Sequence, residues 1–325
     1  MEVSVLVGVY KAENYLRQAV ESALAQPETA EVVLVEDGSP DNSWAVCQEL
    51  ANTYSNVYLH RHRDGKNHGC GATRNVLVQK STCEYVAFLD ADDYFLPNRF
   101  TVAKQVFGDH SDIDGVYEAV SMHIEDEAAF LRWKDAGRGL DPLHTMTRRV
   151  PPAKLFSALV NGGAGSFSID GLVLRRSVFE KCGYFNEDLS LHMDDVLFIK
   201  LAAVAKLMAG RLNEPVAMWR VHDHNRISAR RPKSLIYQMK LKYWFTLWNW
   251  GRTHLNREQS QVLLQALLSE ARFKSRFQRS FPRWLYGIQQ RLQLGLLPFS
   301  YPAILVEPSY WRSFVPSPRK WFRRK

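Results

Sequence analysis

From Val3 to Leu89 the chain alternates strand-like and helix-like stretches, and few folds accept that order. Val3-Ser4-Val5-Leu6-Val7 is a short β-branched run, and Asn14 to Gln26 behind it places Tyr15, Ala19, Val20, Ala23 and Leu24 at helical spacing. Glu31 to Val35 repeats the strand pattern, and Asp41 to Tyr54 reads as a second helix with Asp41, Asn42 or Ser43 available as its cap. Val57 to His60 is a third strand, Gly69 to Lys80 a third helix, and Glu84 to Leu89 a fourth strand. Apolar strands alternating with helices predict an α/β fold, a mostly parallel sheet with helices on both faces.

The fourth strand runs into Asp90-Ala91-Asp92-Asp93. Open α/β sheets bind their ligands at the carboxyl ends of strands. Three carboxylates this close repel one another unless a cation or a hydrogen-bonding ligand offsets them. A divalent metal carrying phosphates would do so, and a solvated acidic turn is the bland alternative.

Beyond Pro97 the pattern is less regular. Asp114 to His123 reads as one strand, Pro151 to Val160 as a Pro-initiated helix, and Asn161 to Ser166 as a glycine-rich loop able to approach a ligand closely. Leu172 to Leu174 and Ser177 to Cys182 follow as strand and helix, and Asp194 to Met208 reads as an amphipathic helix. From Lys233 the pattern is helical, broken at Pro282 and Pro298. Three regions result: 1–110, 111–232, and 233–325 as a basic, aromatic-rich helical extension.

Charge separates these regions. Residues 226–325 hold 20 Lys and Arg against 3 Asp and Glu, a net +17, which leaves 22 against 31, a net −9, in residues 1–225. Cys47, Cys70, Cys83 and Cys182 fall in no C-x-x-C or zinc spacing, and Met1-Glu2-Val3 leads straight into a strand rather than a signal peptide. Reduced thiols in the cytoplasm are the simplest reading. No stretch approaches the roughly 18 apolar residues of a spanning helix, so the chain is expected in solution or on a membrane surface.

Four further constellations accompany the acid cluster. Asp37 ends the second strand, where a carboxylate can accept hydrogen bonds from a base or ribose, although Asp-Gly-Ser is also a good turn. Asn67 to Asn75 sets glycines ahead of a helix that presents Arg74, a planar donor suited to phosphate. His192-Met193-Asp194-Asp195 opens a helix, where acids are often only dipole partners. Trp219 to Ser228 joins Arg220, His222, His224 and Arg226 without a clear period, and His222 is a candidate metal ligand.

In this order the motifs are recognisable: the chain resembles glycosyltransferase family 2, which has the nucleotide-sugar-binding GT-A fold. The family's opening V-S-I-I-P-V-Y-N is matched by Val3 to Lys11, its V-D-D-G-S by Val35 to Ser39, and its N-x-G-x-x-x-A-R-N by Asn67 to Asn75. Its D-x-D is matched by Asp90-Ala91-Asp92, its acidic pair by Asp194-Asp195, and the histidine of its Y-R-x-H by His222. Gly8 stands for the usual proline, Lys11 for asparagine, Thr73 for alanine and Asp194 for glutamate.

The resemblance covers about residues 1–230 and implies a GT-A Rossmann-like mixed sheet flanked by helices, with an inverting transfer from a nucleoside-diphosphate sugar to a hydroxyl of a glycan or lipid-linked acceptor. It implies donor contacts from Val9, Tyr10, Glu13, Asp37, Asn67, Gly69, Arg74, Asp90, Ala91 and Asp92. Mg²⁺ or Mn²⁺ would be held by Asp92, Asp90 and His222, and Asp195, with Asp194 beside it, would be the catalytic base. A phosphoryl-transfer enzyme of the haloacid-dehalogenase kind also uses D-x-D, but no threonine or glycine follows closely in Asp93 to Pro97. An EF-hand fails because Phe95 and Thr101 stand where glycine and the bidentate acid belong. A catalytically inactive relative serving as a binding module is the remaining alternative.

The tail interleaves Tyr243-Trp244-Phe245, Trp248, Trp250, Phe273, Phe277, Trp284, Trp311 and Trp321-Phe322 with its cations. Nucleic acid is a poorer partner for this pattern than an anionic membrane surface, where Trp and Tyr favour the headgroup region. Two readings stand side by side: a helical region that only packs its aromatics on the acidic body, or one that also docks on the inner face of the membrane.

Overall fold

A computed structural model describes residues 1–135, 143–222, 225 and 232–273. The elements run β1 (Val3–Val9), α1 (Leu16–Leu24), β2 (Thr29–Glu36), α2 (Ser43–Thr53), β3 (Val57–Arg61), α3 (Cys70–Lys80), β4 (Tyr85–Phe88) and β5 (Tyr94–Phe95). They continue with α4 (Thr101–Asp109), β6 (Gly115–Tyr117), β7 (Ala119–Ile124), α5 (Glu127–Asp135), β8 (Leu143–His144) and α6 (Pro152–Asn161). After a 3₁₀ turn at Ile169–Gly171 come β9 (Leu172–Arg175), α7 (Val178–Cys182), α8 (Met193–Val204), β10 (Leu207–Ala209) and β11 (Pro215–Val221). The chain divides into two units, Met1–Arg230 and Arg231–Lys325, and the described part of the second is α9 (Lys233–His254) and α10 (Arg257–Phe273). The helical reading around Pro282 and Pro298, and the aromatics beyond Phe273, lie outside the described residues.

The large sheet has the order β10-β6-β9-β4-β1-β2-β3. Its pairs are parallel except where β9 runs against β4 and β6. Val5, Val7, Val32, Leu34 and Ala87 are fully buried at its centre, as continuous apolar runs covered on both faces should be. The carboxyl ends of β1, β2 and β4 therefore bring Tyr10, Asp37 and Asp90 to one edge.

The stretch Asp114 to His123 is two strands in two sheets. β6 pairs with β9 in the large sheet, whereas β7 joins a small sheet of order β5-β11-β7-β8. The switch occurs at Glu118, which is fully buried and paired at 3.0 Å with the equally buried Arg99. Gly171 and Gly210 enclose it: a Cβ on the first would meet the Glu118 carbonyl at 2.3 Å, and one on the second its side chain at 2.7 Å. Arg99 also donates to the carbonyls of Asp170, at 2.8 Å, and Leu172. Period-2 alternation is blind to such a switch, because both strands are apolar and the charged residue between them is neutralised from elsewhere in the chain.

The helix expected over Asp194 to Met208 ends at Val204, and Leu207–Ala209 is instead the edge strand β10. Nor is it amphipathic: Val196, Leu197, Phe198, Ile199, Leu201 and Ala202 are all buried. A helix apolar around its circumference is a buried helix. The glycine-rich loop is held against backbone, since a Cβ at Gly165, where φ is 80°, would meet the Thr145 carbonyl at 2.4 Å.

Burial disfavours both charges of the Arg99–Glu118 pair, lowering the guanidinium's pKa and raising the carboxyl's, with their mutual attraction opposing. Removing one partner of such a pair strands the other. Arg99→Ala should lower unfolding free energy by about 3–5 kcal/mol in urea denaturation, and Arg99→Ala/Glu118→Ala should recover part of that loss.

Candidate functional site

Asp37 is buried at the end of β2, and its carboxylate is filled by the loop opposite. One oxygen accepts from the His68 amide at 2.6 Å, and the other from Asn67 Nδ2 at 2.9 Å and the Gly69 amide at 3.0 Å. His62 Nε2 stands 3.4 Å away and also reaches Thr73 Oγ1 at 3.2 Å. Asp37 thereby shapes the glycine-rich entry to α3, with Gly69 at φ 87°. Glu13 accepts from the Asn42 amide at 2.8 Å at the start of α2, Tyr10 is exposed, and Val9 and Ala91 are buried.

Two departures from the family motifs lie against each other. A Cβ on Gly8 would meet Thr73 Cγ2 at 3.1 Å, a tight contact at which one of the two must shift by a few tenths of an ångström. Lys11 adopts φ 55°, a left-handed conformation that asparagine accepts more readily than lysine.

Arg74 lies buried on α3 and joins two motifs distant in sequence. Its Nη2 donates to Asp90 Oδ1 at 2.6 Å and its Nη1 to Asp194 Oδ1, with the Phe185 ring 5.5 Å below. Burial opposes its charge, but Asp194 and Asp90 outweigh that and hold its pKa well above the ordinary value. Asp195, the other half of the acidic pair, is about half exposed and takes a hydrogen bond from His192 Nδ1 at 2.8 Å.

Asp92 Oδ2 lies 3.0 Å from His222 Nε2, and Asn225 Nδ2 lies 3.5 Å away. The segment of β11 that brings His222 here was legible only as residues without a period. It is fixed by Arg220, whose amide donates to Asp93 at 2.7 Å and whose Nε donates to the Asp92 carbonyl at 2.9 Å. His224 and Arg226 lie outside the described residues.

Asp170 was not anticipated. It sits in the 3₁₀ turn between Ser168 and Gly171, accepts from the Asp90 amide at 2.9 Å, and groups its carboxylate with those of Asp90 and Asp93 within 4.8 Å. Burial raises the pKa of both Asp93 and Asp170, the latter to about 7; the charges of Asp170, Asp92 and Asp90 add to the rise at Asp93, and that of Asp90 adds to the rise at Asp170, where a hydrogen bond with Asp93 opposes it. Nothing in a lone Ser-Ile-Asp-Gly marks a buried acid; only the fold brings it to the cluster.

The donor set suits a hard divalent ion. Asp90 and Asp92 keep part of their carboxylates exposed, and an imidazole nitrogen faces Asp92, a combination of ligands that Mn²⁺ and Mg²⁺ accept. The deeper Asp93 and Asp170 each accept from a backbone amide, that of Arg220 at 2.7 Å and that of Asp90 at 2.9 Å, and with Asp90 they form a second group of carboxylates close enough to share an ion.

The family model for Glycosyl transferase family 2 matches residues 4–183. The chain belongs to this family. It is 27% identical over 231 residues to an uncharacterized glycosyltransferase of Rickettsia felis, a match that takes in 69% of this chain and 36% of that protein. With the succinoglycan biosynthesis protein ExoU of Rhizobium meliloti it shares 29% identity over 213 residues, 62% of this chain and 57% of the relative. The chain thus spans less than two thirds of each relative's length. Among solved structures, S. aureus TarS 1–349 in complex with UDP-GlcNAc superposes with a TM-score of 0.64 at 18% identity, covering 96% of this chain and 90% of that one. The mannosyltransferase PcManGT from Pyrobaculum calidifontis, in complex with GDP-Man and Mn²⁺, gives 0.50 at 17% identity, covering 96% and 83%. These likenesses establish the GT-A fold, with its mostly parallel sheet flanked by helices.

If Thr73 fills the place of a side chain at position 8, Gly8→Ala should cost about 1–3 kcal/mol in the native chain. Much less should be lost in a Thr73→Ser background, which keeps the hydroxyl facing His62 and removes the methyl. A urea double-mutant cycle measures the coupling, expected at about 1 kcal/mol.

Proposed function

We propose that this member of the family transfers a sugar, hexosyl or N-acetylhexosaminyl, from a UDP-linked donor to a hydroxyl of a glycan or lipid-linked acceptor in cell-surface polysaccharide synthesis. The meeting of Asp90, Asp92 and His222 at the end of β4 with the acidic start of α8, through one shared arginine, carries this reading. Succinoglycan synthesis by a relative and the UDP-GlcNAc complex of a protein of the same fold support the donor and product classes.

Val9, Tyr10, Glu13 and the Asp37, Asn67 and Gly69 corner take the nucleoside. Asp92, His222 and Asp90 would hold Mg²⁺ or Mn²⁺, which when bound supplies positive charge against the developing charge of the leaving diphosphate. Asp195 accepts the proton of the acceptor hydroxyl as its oxygen bonds to the anomeric carbon. The bond to the diphosphate breaks on the opposite face, the diphosphate leaves with the electron pair, and the configuration inverts. A carboxylate is a weak base, but it suffices when proton transfer lags behind cleavage of the donor bond. Asp194 stays with Arg74 and limits repulsion among the acids.

Screening UDP-, GDP- and dTDP-sugars for hydrolysis and transfer with Mn²⁺ tests the class. Cleavage of a UDP-sugar is the expected result, and nucleotide binding with no cleavage of any donor would mark an inactive binding module. Asp195→Asn should lower kcat by on the order of 10²–10⁴ while UDP binding survives. Asp92→Ala should abolish the gain in UDP affinity that Mn²⁺ brings in calorimetry, and equal affinity with and without Mn²⁺ in the native chain would contradict the metal site.

The basic tail is assigned to an anionic membrane surface, at the inner face of the membrane. In α9, Leu235 and Ile236 are exposed a turn or so ahead of Lys240 and Lys242, and among the described residues no helix is long and apolar enough to cross a membrane. Binding to phosphatidylglycerol vesicles at low salt, weakened by truncation after Ser317, is expected; protein that stays in the supernatant when the vesicles are pelleted at low salt would remove the assignment.

A further inference from the structure

His192 precedes α8 with φ 64°, a left-handed conformation that L side chains resist and that glycine or asparagine adopts more easily. Its Nδ1 lies 2.8 Å from Asp195 Oδ2. A carboxylate only accepts, so the proton of this bond sits on Nδ1. Among the described residues Asp195 Oδ1 has no hydrogen-bond partner, whereas Asp194 is clamped by the buried Arg74. The first turn of a helix already favours an aspartate, so stabilising the charge of Asp195 gives little reason to hold a histidine in a strained backbone. Fixing the direction of its carboxylate does give one.

We propose that His192 is a positioning residue for the transfer, its Nδ1–H fixing one oxygen of Asp195 so that the other takes the acceptor's proton. The inference rests on Asp195 being the base. The neighbourhood is consistent with it. His144 of β8, whose ring lies 6.4 Å from that of Trp219, is close enough for Asp195 to act on electrostatically, and the crowding around its ring lowers its pKa and favours the neutral form. With Asp194 neutralised by Arg74, His192 is the described side chain that hydrogen-bonds Asp195.

The test compares His192→Gly, His192→Asn and Asp195→Asn in the full chain, by steady-state hydrolysis of the fastest-cleaved of UDP-, GDP- and dTDP-linked hexoses with Mn²⁺ and by thermal unfolding. Glycine relieves the backbone and removes the donor; asparagine suits the backbone and retains an N–H donor. The expected result for His192→Gly is a kcat lower by on the order of 10- to 100-fold, an unchanged KM for the donor and a Tm no lower than that of the native chain. His192→Asn should recover most of the rate. A kcat for His192→Gly within about twofold of native, while Asp195→Asn is inactive, would overturn the positioning role and leave the base in place. Normal turnover by Asp195→Asn would overturn the base and the proposal together. A lower Tm in His192→Gly with His192→Asn equally slow would assign His192 to starting the helix and overturn the proposal.

Discussion

The site depends on one buried guanidinium. Arg74 comes from α3, Asp90 from the end of β4 and Asp194 from the start of α8, and no local interaction would bring the two acids near each other. Two like charges brought this close repel each other even where both stay partly exposed. A planar cation with two donor edges permits their approach, and the aromatic rings of Phe88 and Phe185 beside it keep it from shifting toward solvent. A lysine at this position could not serve both acids with fixed geometry.

A second layer supports this one. Arg99 and Glu118 hold the point where the chain leaves the large sheet for the small one, and through the Asp170 carbonyl they fix the turn whose carboxylate receives the Asp90 amide. Arg220 attaches β11 to the acid cluster from the other side and so delivers His222 to Asp92. The three arginines differ in consequence. Arg99 holds the switch between sheets, Arg220 brings a candidate ligand into place, and Arg74 clamps one member of the acidic pair and leaves the other to His192.

The first half of the fold was legible because each element declared itself locally. Apolar runs such as Glu31 to Val35 are buried on both faces, and the helices between them begin and end within about two residues of their sequence signals. Later elements were less legible for physical reasons. β6 and β7 read as one strand because Glu118 between them is satisfied by Arg99, far away in sequence, and α8 looked longer because its apolar pattern runs on into β10. In the site, Asp90, Asp92, Asp195 and His222 could be picked out as charged residues in ordered motifs. Asp170 and the pairing of Arg74 could not, since their roles exist only once the turn and the helix are packed against β4. The departures at Gly8 and Thr73 looked independent in the sequence, and the structure sets them in direct contact.

The most direct test of the clamp is the unfolding free energy of Arg74→Met compared with that of the triple variant Arg74→Met/Asp90→Asn/Asp194→Asn, measured in urea at neutral pH without divalent ions. With the guanidinium gone and the two partly exposed acids left facing each other, the single variant should lose about 1–3 kcal/mol, and neutralising both acids should restore most of it. An Arg74→Met protein as stable as the native chain, or a triple variant no more stable than the single one, would contradict the account.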